Sequence, residues 1–304
     1  MNPRQHQFRG SRIAILGAGW LGRRIAEHAL GLGMEVSTLT RNPQASDKLA
    51  ALGVQHTLTA QLHEDTWHDQ LDRDQHYVVN CVSAGGGGLE GYHQSYLGGN
   101  QSILRWAGPE HPARFAYTGS TSVYPQTDGQ SVDESSPTHG TSESGAILLE
   151  AEALLLEHAP FAQTTVLRLG GLYGPGRHYL LDLLRADATE IPGRGDLLLN
   201  LLHLDDAASA VFAALQESTG VETYNVTDGS PVQKETLVGW LAGQLGRPPP
   251  LFNPKAQPRR SAIRRVSGAI PNRTVNISKI RAALGWTPQF PDFRAGYRDL
   301  LRTD

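Results

Sequence analysis

Apolar and polar positions alternate in blocks that change period along the chain. Residues 12–16, "RIAIL", form a short apolar run that stops at a glycine turn, and "LGRRIAEHALGLG" after it has helical spacing and closes at Gly31 and Gly33. "EVSTLTR", residues 35–41, is rich in β-formers and alternates, so a strand follows the helix and the first unit is βαβ. "YVVNCVSA" (77–84), "RFAYTGSTSVY" (114–124) and "TTVLRLGGLYG" (164–174) predict later strands. Helices are predicted from "YHQSYLGGNQSILRWA" and from the segment beginning "SESGAILLEAE" at residue 142. Strands that alternate with helices predict a parallel sheet covered on both faces. The expected fold class is therefore α/β, a doubly wound sheet with a small C-terminal lobe.

Past about Tyr173 the texture shifts toward Gly and Pro, as in "GPGR", "IPGRGD" and "GRPPP", with helices such as "LDDAASAVFAALQ" and "KETLVGWLAGQL" between short strands. This predicts a nucleotide domain over 1–173 and, over 174–304, mainly a substrate-binding lobe with some elements returning to the sheet. A length of 304 residues and a hydrophobic fraction of 39% suffice for either one large domain with a lobe or two modest domains.

A net charge of -3, with acids spread throughout, offers no basic face for nucleic acid. The basic run "PRRSAIRR", 258–265, reads as a solvated loop. The single cysteine, Cys81, allows no internal disulfide, and no Cys/His cluster has zinc-ligand spacing, so no metal is expected. No run approaches the ~20 apolar residues of a membrane span, and the polar N-terminus lacks an apolar leader core. The expectation is a cytoplasmic protein with a small-molecule substrate.

"GAGWLG" sets Gly17, Gly19 and Gly22 in a GxGxxG pattern between a strand and a helix. The first glycine permits the tight turn, the second lets a pyrophosphate approach the backbone, and the third packs helix on strand, with the helix N-terminus facing the phosphates. Gly17, Gly19, Trp20, Leu21 and Gly22 are thus candidate cofactor contacts. An acidic residue about 20 positions on would bind a ribose 2′-hydroxyl, but that position is Arg41. A guanidinium suits a 2′-phosphate, which favours NADP, with NAD as the alternative; the competing reading has Arg41 stacked on adenine or facing solvent. "NCVSAGGGG", 80–88, follows another strand at the same sheet edge. It makes Ser83 a further candidate and reads equally as a close backbone approach to ligand or as a flexible lid.

Together with "TGSTSVYP", "LRLGGLYGPGR", "LLHLDDAASAVFAAL", "YNVTDGSP" and "ALGWTPQFPDFRAG", the glycine motif resembles the extended short-chain dehydrogenase/reductase superfamily, the NAD-dependent epimerase/dehydratase group, over nearly the whole chain. The resemblance implies a Rossmann sheet, a catalytic Ser or Thr at a strand end, and a Tyr-x-x-x-Lys on the next helix whose lysine lowers the tyrosine pKa. Ser120 matches the serine. Ser144 and Leu148 fall at the tyrosine and lysine positions. The four lysines, Lys48, Lys234, Lys255 and Lys279, are preceded four residues earlier by Gln44, Ser230, Leu251 and Val275, so the chain has no Tyr-x-x-x-Lys at all. In this respect it resembles the atypical members of the superfamily.

Proton transfer would then fall to other groups near the strand end. Ser120, Tyr124 and Ser144 are the candidate catalytic residues, and His139 and Arg177 the candidate substrate contacts; Arg177 matches a family arginine near the substrate. A histidine has a useful unperturbed pKa, yet a lone loop histidine such as His139 is more often just a solvated side chain. The leucine-rich helix 142–158 is broader in its apolar surface than one core-facing stripe requires, and family members often dimerise there, so a homodimer through it is expected alongside the reading in which it is buried within its own subunit. Three functions remain in play: NADP-dependent hydride transfer to a small or nucleotide-linked substrate; a non-catalytic NADP(H) sensor or scaffold; and a nucleotide-sugar epimerase or dehydratase, weaker because those reactions lean on the missing tyrosine.

Overall fold

A computed structural model describes residues 7–256 and 270–303. The basic run at 258–265 lies outside the described residues.

Five strands of the N-terminal half, β1 (Arg12–Leu16), β2 (Glu35–Thr40), β3 (His56–Thr59), β4 (Tyr77–Asn80) and β5 (His111–Ser120), join Phe161–Leu169 and Val221–Val226 in one sheet. Its order is Val221–Val226, Phe161–Leu169, β5, β4, β1, β2, β3, and every pairing is parallel. The chain reverses its direction of travel across the sheet between β1 and β4. In an open α/β sheet ligands bind outside the carboxyl ends of the strands at such a reversal. The register pairs Leu16 with Asn80, Asn80 with Tyr117, and Ser120 with Leu169, so the glycine turn, the Cys81–Gly88 loop and Ser120 share one edge.

The central strands are apolar almost throughout because both faces are covered. On one face Ile13, Ile15 and Val79 pack with α1 (Trp20–Gly31) and the Leu204–Glu217 helix. On the other, Ala14, Leu16, Val78, Phe115 and Tyr117 pack with Trp67, Ile103, Trp106 and Leu155. The strand ends differ from the sequence reading in a consistent way. β5 starts earlier and stops at Ser120, where a single turn of 3-10 helix, Thr121–Val123, takes over, and the 161–169 strand stops before Gly170.

Beyond Tyr173 a separate core of Leu181, Leu184, Ile191, Leu237, Leu241, Phe293 and Leu300 forms the lobe, whereas the Leu204–Glu217 helix and the Val221–Val226 strand belong to the Rossmann layers. One device fastens the lobe's C-terminal segment, and a second caps the helix that carries it. Asp206 accepts the backbone N–H groups of Gln289 (2.6 Å) and Phe290 (3.0 Å), and His203 caps its helix by accepting the Asp205 amide through Nδ1. The His-x-Asp-Asp run is therefore a brace between layers. Among the described residues no helix is long and apolar enough to cross a membrane.

The Glu143–His158 helix, through which a homodimer is expected, buries one side within its own chain. Ile147, Leu148, Ala151 and Leu155 are buried within the chain, Leu149, Leu154 and Leu156 are half-buried, and the outward positions are Glu143, Ala146, Glu150, Ala153 and Glu157. The helix is apolar on several sides because it packs on the sheet, the Gly88–Tyr92 helix and the Gly99–Ala107 helix at once. Most of its apolar surface is covered within the chain, and Leu149, Leu154 and Leu156 keep part of theirs exposed.

Candidate functional site

The three motif glycines do three different things. Gly17 has φ +94°, and a Cβ there would lie 2.6 Å from the Val82 amide nitrogen. Gly22 has no room either: its Cβ would meet the Gly17 carbonyl oxygen at 2.6 Å and Cys81 Sγ at 2.9 Å. Gly19 is exposed, and its nearest neighbour would be 4.0 Å away. Two glycines thus close the turn onto β4 and one leaves open space above it. The helix that follows carries no side-chain cap and no acid in its first turn. Its first amides, at Trp20, Leu21 and Gly22, have no intrahelical acceptor and face the open side, as an anion requires. The Leu21 side chain is buried, so only its backbone can serve. Trp20 turns away from the motif: its Nε1–H donates to the Pro175 carbonyl (3.0 Å) and its ring lies 5.2 Å from the Arg177 guanidinium. Trp20 and Arg177 therefore act as one strut joining the phosphate turn to the Gly174–Arg177 loop, and Gly174 is small enough to let the indole in.

Arg41, one residue past β2, reaches across the sheet edge to the loop after β4. A Cβ at Gly85 would overlap Arg41 Nη2 and lie 2.7 Å from Cζ. Gly85, at φ +60°, is the first of three left-handed glycines with Gly86 and Gly88. The glycine run therefore does bring backbone into close approach, and the partner in this structure is the Arg41 guanidinium. Arg41 and Ser83 are both exposed on this edge, on either side of the β1 turn. Cys81 is fully packed under Gly22 and burial pushes its thiol up to about 12, so it is no nucleophile.

At the other end of the edge the structure sorts the proton-transfer candidates. Ser120 is half-buried at the end of β5, its Oγ accepting the Ser122 amide (3.1 Å). Tyr124 is withdrawn from the site. It is completely buried, its hydroxyl donates to Asn225 Oδ1 (2.9 Å) and accepts from Arg168 Nη1 (2.9 Å), and Arg168 is in turn paired with Glu152 at 2.7 Å. Burial raises the pKa of Tyr124 despite the adjacent guanidinium. It is a buried strut tying the turn after β5 to the Phe161–Leu169 and Val221–Val226 strands. Ser144 is 4% exposed, its Oγ 3.1 Å from that of Ser142, which caps the helix at the Gly145 amide. One turn on, Leu148 packs with Val123, Tyr124, Val132 and Val275. The position at which the superfamily carries lysine is apolar core here. His139 is exposed on the preceding loop, which is pinned over the strand end by Gln126 donating to the Pro137 carbonyl (2.8 Å).

One residue that the sequence reading did not single out enters this region. Arg273 donates through Nη2 to the carbonyl of Thr121 (2.6 Å), next to Ser120. Its own backbone is clamped by Asn200, which donates to the Arg273 carbonyl and accepts the Val275 amide, both at 2.8 Å. No local motif marks it, and 153 residues separate it from Ser120 in sequence.

Residues 13–227 match the family described as the NAD dependent epimerase/dehydratase family. That is well over half of the chain, and the protein belongs to this family. The Escherichia coli K12 protein YeeZ is 28% identical over 286 residues, covering 92% of this chain and 97% of YeeZ. A Stigmatella aurantiaca protein named 4-hydroxy-2-methyl-3-oxo-4-farnesyl-3,4-dihydroquinoline-1-oxide ketoreductase is 25% identical over 257 residues, 81% of this chain and 76% of that one. The dTDP-glucose 4,6-dehydratase DesIV of Streptomyces venezuelae, solved with NAD bound, superposes with a TM-score of 0.79 at 19% identity over 96% of each chain, which establishes the shared fold.

Proposed function

We propose that this family member is an NADP-dependent oxidoreductase that transfers a hydride to the carbonyl of a small or nucleotide-linked substrate. The observation that carries the cofactor choice is Arg41, standing where an acid would select NAD, with Gly85 giving its planar fork a seat at the ribose edge. The open space over Gly19 and the uncapped start of α1 fit a pyrophosphate between that edge and Ser120. When bound, the nicotinamide supplies the hydride; the carbonyl carbon gains it and the oxygen gains a proton. Ser120 is positioned to hydrogen-bond that oxygen, because its Oγ accepts from Ser122 and its own O–H remains to be donated outward. A relative that carries a ketoreductase name agrees with this direction of chemistry.

A non-catalytic NADP(H) sensor is the second reading, favoured by one observation: Ser144 and Leu148 stand in place of the tyrosine and lysine and both are buried. NADPH and NADH titrations of the protein and of Arg41→Ala, followed by nucleotide fluorescence, test the cofactor. Charge-assisted hydrogen bonds to a 2′-phosphate are worth about 1.5–3 kcal/mol, so NADPH affinity should fall about 10- to 150-fold while NADH affinity stays within about threefold. No binding of either nucleotide overturns the oxidoreductase reading. Tight NADPH binding without oxidation by any of a panel of aldehydes and ketones, in wild type and Ser120→Ala alike, favours the sensor.

A further inference from the structure

Arg273 is a partly buried guanidinium that no acid among the described residues pairs with. It is half-buried, its Nε–H is buried without a partner, and its sole hydrogen bond among the described residues goes to a neutral carbonyl, that of Thr121. Burial pulls its pKa down, and the one group that acts on it electrostatically is the neutral Tyr124 phenol.

Contrast Arg168, which also lies against Tyr124 and is more deeply buried, and whose fork is filled by Glu152 and Tyr124. Partial burial of an unpaired guanidinium carries a desolvation cost, which an anion at the fork would offset. Arg273 also cannot relax into solvent easily, because Asn200 clamps its backbone on both sides and the Thr274–Val275 segment pairs with Ser131–Val132.

We propose that Arg273 is the anion anchor of the substrate site, holding a carboxylate or phosphate oxygen of a carbonyl substrate one residue's reach from Ser120. The proposal rests on the oxidoreductase reading for the word substrate and deepens it: the substrates are carbonyl compounds with an oxyanion close to the reacting carbon. Two donors of the guanidinium fork then serve two tasks. Nη2 holds the end of β5 in place through Thr121, and the rest of the fork meets the ligand. The anchor also supplies a fixed positive charge at the sheet edge where the superfamily's lysine is missing, which stabilises negative charge developing on the substrate oxygen.

The test uses the full-length protein with benzoate and phenyl phosphate as probes and benzamide as the neutral control. In the nitrogen–proton spectrum of arginine Nε–H groups, the signal absent from Arg273→Lys should move on addition of benzoate or phenyl phosphate and stay still with benzamide. Calorimetric affinity for the responding anion should drop at least tenfold in Arg273→Gln, recover in part in Arg273→Lys, and hold in Arg41→Ala. A response to benzoate alone identifies carboxylate substrates, and one to phenyl phosphate alone identifies phosphorylated ones. An Arg273 signal indifferent to both anions, equal affinity in Arg273→Gln, or binding that vanishes in Arg41→Ala overturns the anchor. If Arg273→Gln does not fold, the spectrum of the wild-type chain decides alone. The cofactor reading fails separately, through the absence of NADPH binding, which leaves the Arg273 response intact.

Discussion

Gly85→Ala isolates the seat of Arg41 without touching the charge itself. The new methyl group would overlap Nη2 and stand 2.7 Å from Cζ, against the roughly 3.5–4 Å of a relaxed carbon contact. The guanidinium must therefore move by an ångström or more. Since it is the far end of a flexible and exposed side chain, the displacement itself costs little folding energy. The backbone cost is separate: φ +60° at an alanine is worth about 1–2 kcal/mol. The melting temperature should therefore drop by a few degrees. Paired charge-assisted bonds tolerate little misplacement, so losing one of two to a 2′-phosphate gives a loss of about 1.5–3 kcal/mol, or about 10- to 150-fold in NADPH affinity. NADH, which has no 2′-phosphate, should bind as before. Fluorescence titration of both nucleotides with the variant and the wild type gives the two ratios directly. Equal losses for NADPH and NADH would show that the glycine loop serves the nucleotide as a whole, and an unchanged NADPH affinity would refute the seat outright.

Further consequences follow from the same contacts. Tyr124→Phe leaves Asn225 Oδ1 and an Arg168 donor unpaired in a buried site and should cost about 1–3 kcal/mol in chemical denaturation, with NADPH affinity unchanged; a stable but inactive variant would return Tyr124 to the catalytic candidates. Glu152→Gln breaks the buried pair with Arg168 and should cost about 3–5 kcal/mol by the same assay. Leu148→Lys, which restores half of the superfamily motif, places an ammonium in the cluster of Val123, Val132 and Val275 and should destabilise the fold by several kcal/mol without raising turnover. Asp228 has one oxygen without a hydrogen-bond partner, and burial raises its pKa to about 7. Its folded form thus binds a proton that the unfolded chain has already released above about pH 4, so stability should fall as pH rises from about 4 to 7 and then level off. Asp228→Asn should flatten that slope in urea titrations across the range.

The sequence was most informative where one local rule controls several atoms. GxGxxG between a strand and a helix specifies a turn, and the structure gives Gly17 and Gly22 the close contacts and Gly19 the open space that the spacing implies. The parallel sheet was legible because strands alternate with helices, and a buried strand such as "YVVN" reads as an apolar run closed by Asn80. What stayed hidden depends on distant pairings. Tyr124 looked like a proton carrier because it follows Ser120 by four residues, but its partners, Asn225 and Arg168, come from strands 101 and 44 residues away. The leucine-rich helix looked partly unpartnered because sequence shows the number of its apolar sides and not how many neighbours meet them. The glycine run at 85–88 left two readings open, since nothing local says that Arg41 lies against it.

Arg273 shows why the second half of the site was beyond local reading altogether. Its charge is informative only because no acid among the described residues meets it, which is a property of the folded neighbourhood. The same comparison explains how a chain can lose the tyrosine and lysine and keep its fold. Ser144 and Leu148 are shorter than the residues they stand for and both are buried, Leu148 packing with Val123 of the 3-10 turn. The region keeps Ser120 as a hydroxyl and gains a cation from the other end of the chain. If catalysis survives in such an arrangement, its proton must come through Ser120 or from solvent, and the cation at Arg273 must carry the electrostatic part. Ser120→Ala and Arg273→Gln would then both lower kcat, but only Arg273→Gln would also raise KM for an anionic carbonyl compound relative to its neutral analogue. A KM that rises equally for both analogues would reduce Arg273 to a brace for the end of β5.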